Sequence, residues 1–115
     1  EDQLQELAEQ AKRMQRIVKE PAASVDKKLL DKSELPMYGL LAQDVPAVAA
    51  MVEKQTFGKA LSTVLSWTPI IATYFVDVMV NDKNDAIRQN RHALIKDVYD
   101  GVMRVADFTR IEKRK

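Results

Sequence analysis

Residues 74–108, YFVDVMVNDKNDAIRQNRHALIKDVYDGVMRVADF, decide the fold of this chain. They begin with the end of an apolar stretch and a short β-like run at 78–80, followed by a polar turn at 81–84. One helix is then predicted from about residue 84 to residue 109. At 1.5 Å per residue this helix is roughly 35–40 Å long, so it is the longest element expected.

The long helix has one continuous apolar stripe with helical spacing. Its members are Ile87, Leu94, Ile95, Val98, Val102, Val105 and Ala106. Gly101 interrupts this stripe and is expected to cost about 1 kcal/mol relative to alanine. Asp82 and Asp85 are predicted to cap the start of the helix. His92 is predicted to lie on its solvated face or to be half-buried.

A first helix is predicted over residues 2–19, where Pro21 marks the stop. Its narrow seam consists of Leu4, Leu7, Ala11, Met14 and Val18. Ser24 is predicted to cap a short helix at 25–31. A further helix is predicted to begin at Ser33 or Glu34 and to bury Leu35, Tyr38, Leu40 and Leu41. Another is predicted to begin at Val45, with Asp44 as its cap. Two more are predicted to begin near Phe57 and at Thr68-Pro69.

The predicted fold is therefore all-α, a bundle of five to seven helices that forms a single domain over residues 1–115. Hydrophobic residues make up 46% and charged residues 30% of the chain, which is typical of a folded protein. The uncharged run at 60–76 is short for a membrane helix and is broken by Pro69, so two buried helices are predicted there and no membrane partner. Because Glu1 is the first residue, the chain is interpreted as a fragment of a longer subunit.

Few side chains in this sequence could carry out catalysis. The chain has no cysteine and a single histidine, which argues against thiol chemistry and against histidine-based catalytic or metal sites. It also lacks a glycine-rich phosphate loop. No catalytic residue, metal ligand or cofactor is predicted within this chain.

Clustered basic residues suggest RNA as a partner, although the net charge is only +1. Lys12, Arg13 and Arg16 share one side of the first helix, and Arg88 and Arg91 are neighbours on the long helix. Arginine binds phosphate through two parallel hydrogen bonds and stacks on unpaired bases. The alternative is that these residues form solvated faces with salt bridges, such as one between Asp85 and Arg88.

Two separated segments resemble a known family. The segment AKRMQRIV at 11–18 matches a KR-containing element, and the 74–108 block contains VMV, R-x-N-R at 88–91 and RVAD at 104–107. A Tyr-x-x-Leu element at 38–41 and a short helix at 57–65 followed by a proline fit the same layout. In this combination the chain resembles the C-terminal DALR-type anticodon-binding domain of the β subunit of bacterial-type glycine–tRNA ligase.

The resemblance implies a non-catalytic domain that engages the anticodon arm of glycine tRNA. It implies a cytoplasmic parent enzyme that uses ATP and magnesium, with the rest of the β subunit and a catalytic α subunit as partners. By the matching motifs, the expected RNA contacts are Lys12, Arg13, Arg88, Asn90 and Arg91. Arg104 and Asp107 are expected to lock the long helix against its neighbours.

Two other interpretations remain open. The first is a DALR-type domain from an arginine–tRNA ligase, although the VMV and RVAD elements argue against it. The second is a helical docking domain that does not bind RNA, in which the seam of the first helix contacts the parent subunit or a partner protein.

Overall fold

The computed structural model describes the backbone of residues 2–113 and the side chains of residues 3–105. The described chain is helical and contains no β-strand, so the all-α prediction is confirmed. The α-helices are α1 (Asp2–Ile17), α2 (Leu35–Gly39), α3 (Val45–Glu53), α4 (Phe57–Leu65), α5 (Thr68–Asp77) and α6 (Asp85–Lys113). Two 3-10 turns, Lys27–Leu29 and Lys32–Glu34, precede α2, and a π-helical segment, Leu40–Asp44, joins α2 to α3.

Helix α6 is the element around which the bundle is built. All six side chains from 90 to 95 are buried, which happens only when a helix is enclosed on every side. α1, α2, α3 and α4 all pack against it. The predicted solvated face is therefore wrong at His92, whose side chain is 2% exposed. A single apolar stripe could not reveal that neighbouring elements cover the polar side of the helix as well.

The start of α6 is capped by a residue other than those predicted. The Asn84 side chain accepts a hydrogen bond from the Ile87 N–H at 3.1 Å, which is the usual role of an N-cap. Asp82 supports this cap by accepting from the Asn84 N–H at 2.9 Å. Asp85 lies in the first turn, where its charge favours the positive end of the helix dipole.

Helices α2 and α3 belong to one continuous helical segment rather than two capped helices. Asp44 has helical backbone angles and makes no capping hydrogen bond, so the predicted cap is wrong. Its carboxylate instead accepts a hydrogen bond from the Trp67 Nε1–H at 3.0 Å. Because Pro46 lacks an N–H and its ring crowds the preceding turn, widening to a π-helix just before it lets the helix continue.

Several predicted boundaries and contacts need correction. α1 ends at Ile17, and the helix predicted at 25–31 is only the Lys27–Leu29 turn, capped by Asp26 rather than Ser24. Leu35 was predicted to be buried but is 47% exposed, because the α2 face that packs inward carries Met37.

The α1 seam is also not available for docking, since Leu7 and Met14 are buried in the bundle core.

Trp67 and Val45 pack closely against α6 at Gly101. The Trp67 ring is fully buried, and a Cβ built on Gly101 would lie 3.4 Å from it and 3.0 Å from Val45 Cγ2. Glycine is therefore the residue that lets α3 and the Trp67 ring approach α6. The helix-propensity cost predicted for Gly101 is offset by this close approach.

The run at 60–76 is divided between α4 and α5, as predicted. A different segment, Lys32–Glu53, is long and apolar enough to cross a membrane when judged by length and composition alone. Its side chains Met37, Leu40 and Val48 belong to the core of the helical bundle.

We predict opposite responses to alanine at two helical glycines. Gly39→Ala should raise the free energy of unfolding by up to about 1 kcal/mol, because a Cβ there meets nothing within 4 Å. Gly101→Ala should give no such increase in the free energy of unfolding, or should lower it, because its Cβ would lie 3.0 Å from Val45 Cγ2. Urea unfolding followed by Trp67 fluorescence measures both, and equal stabilisation by the two changes would contradict the packing account.

Candidate nucleic-acid interface

Five consecutive residues at the start of α6, 88–92, hold the segment that links α1 to α2. Each of the five forms a hydrogen bond with a residue between 19 and 34. Three of them were predicted to contact RNA. Their geometry therefore decides which side chains are available to a ligand and which are used to position the chain.

Arg91 is a buried member of a polar network rather than a surface cation. Its Nε donates to Glu34 Oε2 at 3.2 Å, and its Nη1 donates to the Met79 carbonyl at 2.6 Å. Glu34 is completely buried and also accepts a hydrogen bond from the Tyr74 hydroxyl at 3.0 Å. Burial raises the pKa of Tyr74, so this hydroxyl keeps its proton and remains a donor.

The same carboxylate closes the turn that carries it. Glu34 Oε2 accepts from the backbone N–H of Asp31 at 3.0 Å, forming a capping box over residues 31–34. An acidic residue followed three positions later by glutamate is the sequence signature of that box. This signal could have identified Glu34, which is predicted above only as a possible helix start, as a capping residue. Nothing in the signal indicates Arg91 as its partner.

Asn90 is buried and holds the start of the Lys27–Leu29 turn. Its Oδ1 accepts from the Asp26 N–H at 2.6 Å, and its Nδ2 donates to the Asp26 carbonyl at 3.1 Å. One position earlier, the Gln89 carbonyl accepts from the Ala22 N–H at 3.0 Å. All hydrogen-bonding atoms of the Asn90 amide group are directed at the protein backbone, and the side chain is 1% exposed.

Arg88 lies at the surface but is paired with acids. Its Nη2 is 2.9 Å from Glu20 Oε1 and 2.7 Å from Asp85 Oδ1, and its Nη1 donates to the Asp82 carbonyl. The predicted ion pair with Asp85 is present. Hydrogen bonding to Arg88 lowers the pKa of Glu20, which keeps that carboxylate charged.

The basic residues of α1 are arranged differently. Lys12, Arg13 and Arg16 are exposed, and none of the ion pairs among the described side chains includes them. The Arg13 guanidinium lies 4.5 Å from the centre of the Phe75 ring, a cation–π contact that joins α1 to α5. These three cations can therefore meet an anionic ligand without first breaking a salt bridge.

A second set of cations, absent from the predicted site, lies on the segment that Asn90 and Arg91 hold in place. Lys27, Lys28 and Lys32 are exposed on the two 3-10 turns, and Lys27 Nζ lies 5.9 Å from the centre of the Tyr38 ring. No sequence motif marks these lysines, because their fixed position depends on the buried contacts made from α6.

The remaining predicted site residues lie away from these contacts. Arg104 is exposed on α6, and its expected role in locking that helix stays a prediction. The side chain of Asp107 lies outside the described residues. Within the described part of the chain, no group of acidic and histidine side chains has the arrangement of a metal site.

Comparison with known proteins finds relatives that share most of this chain. One from Clostridioides difficile (strain 630), a glycine–tRNA ligase β subunit, is 33% identical over 88 residues, which are 76% of this chain. The β subunits of Acidovorax ebreus (strain TPSY) and Myxococcus xanthus (strain DK1622) are 32% and 30% identical over 114 residues, 96% and 94% of this chain. The chain is homologous to a segment of glycine–tRNA ligase β subunits.

The matched segment is a small part of these relatives. The chain spans only 13% to 16% of the length of the three β subunits. No family model and no solved structure matches it.

We predict that Arg91→Met destabilises the protein by about 3–5 kcal/mol, because it leaves the buried Glu34 carboxylate without its cation. Adding Glu34→Gln to that variant should restore part of the loss, since the buried charge is then removed while an acceptor for Tyr74 remains. Unfolding free energies of the single and double variants measure this effect.

A matched control is Lys96→Met, which removes the exposed pair between Lys96 and Asp100 at 3.0 Å. Its effect should be small beside that of Arg91→Met, because solvent screens an exposed helical pair. A double variant less stable than Arg91→Met alone would contradict the assignment of Glu34 as a charged partner.

Proposed function

We propose that the chain is the DALR-type anticodon-binding part of a glycine–tRNA ligase β subunit, and that it binds the anticodon arm of glycine tRNA without catalysing a reaction itself. The observation that carries this proposal is the similarity to such β subunits, which extends over as much as 96% of the chain. The same relatives favour the glycine enzyme over the arginine enzyme that the sequence left open.

The proposal extends to the parent enzyme. There the rest of the β subunit and a catalytic α subunit would be its partners, ATP and magnesium would be used by the catalytic part, and the enzyme would work in the cytoplasm. The present chain would supply RNA binding alone.

We assign the RNA-binding surface to the cations that are exposed and outside the ion pairs described above. Lys12, Arg13 and Arg16 on α1 form its first part, and the 3-10 turns at 27–34 form its second part with their three lysines. Phosphate contacts require cations whose charge is not already neutralised, because affinity comes from displacing counterions from the RNA. The exposed guanidinium of Arg16 can also stack on an unpaired base.

The geometry supports a different role for the R-x-N-R element than the one predicted from the motif. Asn90 and Arg91 are buried with protein partners, so in this proposal they position the 27–34 turns instead of contacting RNA. Arg88 would contribute to RNA binding only by exchanging Glu20 or Asp85 for a phosphate. Lys12 and Arg13 keep the contact role that the sequence predicted.

A docking domain remains the second candidate, and a specific observation favours it. Three large apolar side chains are exposed on the described surface: Leu35 at 47%, Val76 at 82% and Met79 at 72%. Exposed apolar residues of this size are candidates for contact with another protein surface. Such a domain would bind RNA weakly or not at all.

We predict that replacing Lys12, Arg13 and Arg16 together by glutamine weakens binding to a glycine-tRNA anticodon stem-loop. If each residue contacts a phosphate, the slope of log affinity against log salt should fall by about 2–3. Fluorescence anisotropy titrations at several salt concentrations measure the slope. The control replaces the exposed Lys54 and Lys59 by glutamine and should leave the slope almost unchanged. Equal losses in both variants would point to general electrostatics and against this surface.

The identity of the RNA is tested with a second stem-loop whose anticodon is changed. Tighter binding to the glycine anticodon supports a reader of anticodon bases. Equal but salt-sensitive binding limits the role to the phosphate backbone, and absence of binding to both favours the docking domain. Arg91→Glu is unsuitable for this test, because it would place a second carboxylate beside Glu34 in the interior and disrupt the fold itself.

A further inference from the structure

His92 makes a hydrogen-bonding arrangement that only its neutral form can make. Its Nδ1 accepts from two backbone N–H groups, those of Lys19 at 3.2 Å and Glu20 at 3.3 Å. Its Nε2 lies 3.4 Å from Asn81 Oδ1. Two donors pointing at Nδ1 require that nitrogen to be unprotonated, so the proton is on Nε2 and is directed at Asn81.

A second proton would reverse the chemistry of this contact. Both imidazole nitrogens would then be donors, and the Nδ1–H would face two other N–H groups at hydrogen-bond distance. The ring is 2% exposed and has no room to turn toward water without moving its neighbours. We propose that protonation of His92 releases the turn at residues 18–20 from α6, and that the chain therefore contains a pH-sensitive contact. This proposal does not depend on RNA binding.

The charged groups around His92 come from each element packed against it. From the turn, the Glu20 carboxylate favours the protonated ring, whereas Arg88 on α6 disfavours it. Lys96, one turn further along α6, is exposed and paired with Asp100. The connector between α5 and α6 offers the neutral Asn81, while its Asp82 carboxylate faces Arg91 at 3.6 Å.

Desolvation is the largest of these effects, and it lowers the pKa of His92 below its ordinary value of 6.5. The folded protein thus binds this proton less readily than the unfolded chain does. Stability from this group is complete above pH 6.5 and decreases as the pH falls through 6.5 toward the lower pKa of the folded state. Because His92 is the only histidine, few other side chains titrate in this interval.

The release should be local. The contacts of Asn90 with Asp26 involve an amide that does not titrate, so the turn at 27–29 keeps its anchor. The attachments that remain near the released turn include the contacts of the Glu20 carboxylate with Arg88 and with the Gln89 side chain, and the backbone bond from Ala22 to Gln89. Trp67 lies in the core contact with Gly101 and reports on the integrity of the bundle.

The test is a titration of the whole chain from pH 7.5 to 5.0 by ¹H–¹⁵N NMR. We expect the Lys19 and Glu20 amide signals to move with the His92 ring signal, with one midpoint below 6.5. One pH unit below that midpoint most His92 rings are protonated, so the hydrogen-exchange protection of these two amides should be largely lost. The Asp26 amide and the Trp67 indole should not change. Lys19 and Glu20 signals that ignore the His92 titration, or that change only together with the Trp67 indole, would overturn the proposal.

Two variants separate histidine from the nearby carboxylate. In His92→Asn, an amide oxygen can accept the same two N–H groups but does not titrate, so the Lys19 and Glu20 amides should no longer respond to pH. In Glu20→Gln, the amides should still follow His92, at a midpoint shifted to lower pH because a charge that favours protonation is removed. If the response disappears in Glu20→Gln while His92 still titrates, the carboxylate and not the imidazole controls the turn.

Discussion

The buried ion pair between Glu34 and Arg91 is the constraint on which the rest of the structure depends. A charge removed from water costs several kcal/mol unless a partner and further hydrogen bonds compensate it. Here Tyr74 from α5, the Met79 carbonyl from the connector and the Asp31 N–H all supply such bonds. Because these groups come from separate elements, satisfying the two charges fixes α5, α6 and the turn before α2 relative to one another. Hydrophobic packing around Trp67 then stabilises the relative positions of the elements that the ion pair has fixed.

The similarity to glycine–tRNA ligase β subunits and the positions of the cations support one consistent account. The motif residues Asn90 and Arg91 stabilise a segment, and the lysines on that segment, together with the α1 cations, face solvent. In the proposed function, these motif residues would act by positioning the chain that meets the RNA. A substitution at Asn90 that weakens binding would consequently report on the placement of residues 26–34, since the amide itself faces the protein backbone.

The elements with regular apolar spacing could be predicted from the sequence, and the polar contacts between them could not. The stripe from Leu94 to Val105 predicted α6, and Thr68-Pro69 predicted the start of α5. Asp44 has the right identity for a cap, but tertiary contact with Trp67 overrides that local preference. His92 and Asn90 look like surface residues because their burial is caused by segments far away in sequence. Of the candidate site, Lys12 and Arg13 are exposed, as an RNA contact requires, and their role stays a prediction. The sequence could not indicate that Lys27 and Lys32 share a fixed scaffold.

The contacts that secure the α1–α2 segment also determine when it can become ordered during folding. His92 and Lys19 are 73 residues apart in sequence, Asn90 and Asp26 are 64 apart, and Arg91 and Glu34 are 57 apart. Such contacts require closure of long loops, which slows folding compared with a helical protein whose contacts are local. During synthesis from the N-terminus, residues 19–34 lack their contacts with α6 until residues 88–92 have left the ribosome. This segment, and the lysines it carries, is therefore expected to be among the last parts of the domain to take its final shape.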